Sequence, residues 1–67
     1  MPTFPQYLSA VAKAIDLPYA EAQKLVERHI ITVKEQYEIN VGRYSLGVID
    51  KEWFMAEGVE AVISKIL

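Results

Sequence analysis

A single proline constrains this chain more than any other residue. In the stretch "VAKAIDLPYAEAQKLVERHI", Val11 to Ile30, apolar side chains recur at helical spacing on both sides of Pro18. Proline removes a backbone donor and disfavours helical geometry at the residue before it, here Leu17. The pattern predicts two helices joined by a tight corner, not one continuous rod. Pro18 itself suits the first turn of the second helix, where a missing N–H costs nothing.

The first helix is expected over roughly residues 4–15. Thr3 followed by Gln6 reads as a capping box, with Pro5 in the first turn. Phe4, Leu8, Val11 and Ile15 recur on one face, joined by Tyr7 and Ala12. The second helix runs from Pro18 to about Arg28. Glu21 lies near its N-terminus, where negative charge is favoured, and Ala22, Leu25 and Val26 form the inward stripe.

The next segment, "HIITVKEQYEINVGRYSLGVI", supports two readings. The stripe Ala22, Leu25, Val26, His29, Ile30, Val33, Tyr37 continues at helical spacing, which gives one long middle helix. Against that, Ile30, Ile31, Thr32 and Val33 are all β-branched and suit strands. "YEINVGRYSLGVI" alternates like a hairpin with a turn near "NVGR". The favoured reading is a strand at about 31–34 and a hairpin over about 36–49. A final helix follows over about 50–66. Asp50 is its N-cap, Glu52 suits its first turn, and Met55, Ala56, Val59, Val62, Ile63, Ile66 and Leu67 share one arc. Gly58 in this helix costs about 1 kcal/mol against alanine. Trp53 and Phe54 fall outside the arc.

The expected fold is thus a single small α+β domain spanning residues 1–67: a helix–turn–helix, a β-hairpin wing and a C-terminal helix packed across them. The alternative is an all-α three-helix domain with a long middle helix.

A chain of 67 residues without cysteine has no disulfide or thiolate zinc site to support a limited core. Its apolar content, 52%, exceeds the usual level of about 45–50% and points to self-association or a protein partner. Net charge is −2. The first 49 residues are balanced, so the acidity belongs to the C-terminal segment. Such a balance is unusual for a nucleic-acid binder, which is normally basic. No apolar run approaches the roughly 18 residues of a membrane span. "MPTFPQ" lacks the basic start and apolar stretch of a signal peptide, so the chain is expected to be cytoplasmic.

The two N-terminal helices carry helix–turn–helix spacing. Ala12 is the small residue that lets the second helix approach, Ile15 and Leu17 bracket the turn, and Ala22 and Leu25 anchor the second helix. Asp16 occupies the turn, where it tolerates left-handed geometry better than most residues. "YLSAVAKAIDLPYAEAQKLVERHIIT", followed by "GRYSLGVIDKEWF", resembles the small winged helix–turn–helix proteins of the phage excisionase and MerR-like type over about residues 7–54. "HIIT" stands where those proteins carry a Gly-x-Leu-Pro turn. The resemblance implies a DNA-binding regulatory or architectural protein whose second helix enters the major groove of double-stranded DNA. Tyr19, Ala20, Gln23 and Lys24 would then point outward. Gln23 would pair with adenine, Lys24 and Arg28 would meet guanine or phosphate, and Arg43 at the hairpin tip would touch the backbone. Residues 10–35 are also similar to the N-terminal helical half of bacterial histone-like HU proteins, whose basic β-arm has no counterpart here.

The rival expectation is a protein–protein interaction module, whether adaptor, inhibitor or homodimer, that binds through the apolar C-terminal helix with Trp53 and Phe54 as anchors. Catalysis is not expected: the chain has no Gly-rich phosphate loop, no metal-ligand cluster and one histidine. Accordingly no cofactor, metal, small-molecule substrate or membrane is called for.

Overall fold

The computed structural model describes all 67 residues and contains five helices and no strand. They are α1 (Phe4–Ala14), α2 (Tyr19–Arg28), α3 (Ile30–Ser45), α4 (Lys51–Met55) and α5 (Glu57–Ile66).

The N-terminal half follows local chemistry. Thr3 accepts from the Gln6 backbone and Gln6 reaches back to the Thr3 N–H, closing the capping box at 3.3 and 2.9 Å. Ile15 turns extended and ends α1; Leu17 N–H then donates back to the Ile15 carbonyl at 2.9 Å. Pro18 caps α2, its carbonyl accepting from Glu21 and Ala22. No residue other than glycine has positive φ, so Asp16 turns the corner without left-handed geometry.

The β-hairpin wing and the strand at about 31–34 are not present, and the α+β class gives way to an all-helical one. Residues 30–45 form α3 because one helical stripe of this segment meets the core: Val33, Gln36 and Asn40 are buried, with Tyr37 and Tyr44 packed against the core beside them. Tertiary packing overrides the strand preference of the β-branched run, which is worth only tenths of a kcal/mol per residue. The all-helical alternative has the right class, but its long middle helix is broken. The chain bends at His29 (φ −111°, ψ 29°), leaving a single residue between α2 and α3. The expected C-terminal helix is broken too, at Ala56 (φ −110°, ψ −82°), into α4 and α5.

Helix α5 packs on α3 and α1, and α2 packs on α1. Tyr7, Val11, Ile15, Val26, Val33, Phe54, Val59, Val62 and Ile66 form the centre of the core. Phe4, Tyr7, Tyr37, Tyr44 and Phe54 build an aromatic cluster, with ring centroids 5.2 to 6.4 Å apart and mostly edge-to-face. That geometry suits the charge distribution of the rings.

A polar chain crosses this core. Lys65 Nζ donates to Gln36 Oε1 at 2.8 Å, and Gln36 Nε2 donates to Asn40 Oδ1 at 3.0 Å. Asn40 Nδ2 donates to the Gly58 carbonyl at 3.3 Å, which also accepts the Tyr7 hydroxyl at 2.5 Å. No buried side-chain polar atom lacks a partner. Gly58 is what permits the arrangement: a Cβ there would stand 2.6 Å from Asn40 Nδ2. No helix is long and apolar enough to cross a membrane.

Candidate protein-binding groove

Between α1, α2 and the start of α3 lies a groove of about 280 Å³. Helix α1 contributes Pro5, Leu8, Ser9 and Ala12, which recur on one side of that helix. Helix α2 contributes Tyr19, Gln23, Val26 and Glu27, likewise one side, and Ile30 closes the end from α3. The corner at Pro18 folds α2 back against α1, and the bend at His29 brings Ile30 to the groove. Leu8, Ala12, Val26 and Ile30 give an apolar lining. Glu27 is its only charged side chain.

The expected DNA-contacting residues divide across α2. Tyr19 and Gln23 line the groove, with Glu27. Lys24 and Arg28 lie in a second recess with Leu17, Glu21 and Leu25. Each side of the helix thus holds a carboxylate. Arg43 lies on the last turn of α3, exposed, and not on a hairpin tip. Of the five helix–turn–helix positions, Ala12, Ile15 and Ala22 are buried and Leu25 half-buried. Leu17 is 46% exposed and does not pin the turn.

The proposed aromatic anchors separate as well. Phe54 is fully buried at the centre of the aromatic cluster. Trp53 is 38% exposed. Most of the apolar arc of the C-terminal helix faces the core: Val59, Val62, Ile63 and Ile66 are buried and Met55 half-buried, while Ala56 and Leu67 are exposed.

Burial pushes the Tyr7 phenol up to about 12, against a smaller lowering by its hydrogen bond with Asn40. Tyr7 keeps its proton and holds Gly58; it lies outside the groove. No group of three or more His, Asp and Glu side chains comes together in a way that could hold a metal ion.

Sequence reasoning placed Tyr19 and Gln23 on the outward face of α2 but missed the groove, because Ile30 enters it only through the bend at His29. The signal for the polar chain was present in Gln36 and Asn40, spaced four apart beside Val33 and Tyr37. When set beside known protein families, curated proteins and solved structures, the chain matches none of them.

Proposed function

We propose that this chain is a non-catalytic protein-interaction module whose α1–α2 groove seats an apolar side chain of a partner segment, with a basic residue of that segment beside Glu27. The carrying observation is the groove itself: an apolar lining, a half-exposed tyrosine at its edge and one carboxylate. Tyrosine is favoured at such surfaces because it supplies contact area with little entropy to lose. The net charge of −2 favours a basic partner. DNA recognition has weaker support: Lys24 and Arg28 share their recess with Glu21, and the wing that would carry Arg43 to the phosphates has no counterpart. A cytoplasmic location belongs to the same proposal.

Selection of binders from a random peptide library, followed by titration of the enriched peptides, tests this reading. The expected motif is an aliphatic or aromatic residue next to Lys or Arg. Ile30→Glu should weaken binding about tenfold or more, the effect of losing about 1.4 kcal/mol. Lys24→Glu with Arg28→Glu should leave it unchanged. Enrichment without that motif, or indifference to Ile30→Glu, would overturn the reading. So would salt-dependent binding of duplex DNA that Lys24→Glu with Arg28→Glu abolishes.

A further inference from the structure

Helix α3 presents a second surface, on the side away from the core. Ile31, Ile39 and Leu46 are 72%, 45% and 81% exposed. At about 100° per residue, Ile31, Glu35, Ile39, Gly42 and Leu46 fall within an arc of about 80°. All five are exposed. Val33, Asn40 and Tyr44, which face the core, lie on the far side of the helix, and Ile30 is turned about half a revolution from Ile39. This stripe is therefore separate from the groove.

Two features of the stripe say what covers it. The first is Gly42. A Cβ at that position meets nothing within 4 Å, so nothing in this chain requires glycine there. Yet glycine within a helix, here in the closing turn of α3, costs up to about 1 kcal/mol against alanine. The absence of a side chain matters only to a body that approaches this face closely. The second is charge. Glu35 lies inside the apolar stripe; Glu38 lies about 20° beyond one edge and Arg43 about 40° beyond the other, all three exposed. Glu35 and Arg43 are eight residues apart, about 12 Å along the axis, too far to pair within one helix.

We infer that the outer face of α3 is a two-fold interface with a second copy of this chain, the two α3 helices packed antiparallel about Ile39. A two-fold interface must be complementary to itself. This stripe is. With Ile39 on the axis, residues whose numbers sum to about 78 face one another. Ile39 meets Ile39 of the second copy, Glu35 meets Arg43, and Ile31 meets Leu46. Gly42 opens room for the stem of the opposing Glu35. A parallel pairing would instead set Glu35 against Glu35 and Arg43 against Arg43, both repulsive. A single pair of helices of about 24 Å sits at the low end of interface sizes, below about 1,200 Å² in total. The dimer therefore exchanges with monomer and depends on concentration.

Sedimentation equilibrium of the full chain from about 5 to about 500 μM tests the inference, a span that covers weak dimers. A monomer–dimer equilibrium is expected. Ile39→Asp should weaken it about a hundredfold, or about 2.7 kcal/mol at 1.36 kcal/mol per tenfold change. Its helical circular dichroism should be unchanged, since Ile39 lies outside the core. Glu35→Arg and Arg43→Glu should each weaken association, and the two together should restore it, which only the antiparallel register allows. A monomer throughout the range would overturn the inference. So would a dimer indifferent to Ile39→Asp, or a double charge exchange that fails to restore association. Peptide binding in the groove is read separately, so its failure leaves this result standing.

Discussion

The two faces of α3 invert the usual rule for a helix in a small domain. Its inner face carries two amides, Gln36 and Asn40, both buried. Its outer face carries Ile31, Ile39 and Leu46, all exposed. Each face also meets a glycine, and the two glycines differ. Gly58, from α5, lies against the inner face so tightly that a Cβ would overlap the Asn40 amide at 2.6 Å; Gly42, on the outer face, has open space. The inner face is finished: every buried side-chain polar atom has its partner. The outer face is unfinished within one chain. A polar network that is fully satisfied fixes one arrangement of helices, since any sliding of α5 along α3 leaves Asn40, Gln36 or Tyr7 unpaired. An apolar stripe carries no such restriction until a partner supplies it.

The largest effect is expected where the inner face is closest. Gly58→Ala gains helix propensity but drives a methyl group into Asn40. The expected net destabilisation is about 3 kcal/mol, from overpacking and from loss of buried hydrogen bonds. Urea unfolding followed by circular dichroism measures it. A neutral or stabilising result would show that α5 does not approach α3 so closely.

Tyr7→Phe sharpens the same face. The Gly58 carbonyl keeps Asn40 as a donor, so the loss at neutral pH should be about 1 kcal/mol. The pH dependence is more telling. The phenol holds its proton up to about 12 in the folded chain, whereas in the unfolded chain it releases it near pH 10. The unfolded state therefore loses this proton first as pH rises. The stabilisation is complete below about pH 10 and is lost between about pH 10 and 12. Denaturant midpoints across that interval should fall in the parent chain and fall less in Tyr7→Phe. Equal slopes would mean that Tyr7 is not buried.

The smallest effect belongs to the outer face. Gly42→Ala meets no neighbour and should stabilise the chain by about 0.5–1 kcal/mol through its helix propensity. A destabilised variant would show that Gly42 is held by contacts within its own chain. The contrast between alanine at position 42 and alanine at position 58 is the comparison of the two faces in its simplest form.

This inversion also explains what the sequence hid. The paired helices α1 and α2 were legible because Thr3, Gln6 and Pro18 mark their boundaries and Ala22 and Val26 keep a clean inward stripe. Helix α3 was legible only as the alternative: Ile30, Val33 and Tyr37 continue the stripe of α2, but Ile31 and Ile39 fall outside it, as the exposed face they occupy requires. That surplus of apolar residues off the stripe, with the β-branched run and the alternation in "YEINVGRYSLGVI", favoured a hairpin. The breaks at His29 and Ala56 carry no proline, so no local signal marked them. Gly58 was legible only as a cost; its use emerges from the approach of Asn40, 18 residues away in sequence. The groove was partly legible in Tyr19 and Gln23, outward on α2. Its closure by Ile30 depended on a bend that packing sets.

The most direct test of the central claim is a dilution series of amide NMR spectra on the uniformly labelled chain, from about 500 to about 20 μM, the range over which a weak pair dissociates. The account predicts concentration-dependent shifts at Ile31, Glu35, Ile39, Gly42, Arg43 and Leu46, with Ser9, Gln23 and Glu27 in the groove unmoved. Spectra that do not change with concentration, or shifts gathered at the groove instead of on α3, would contradict it.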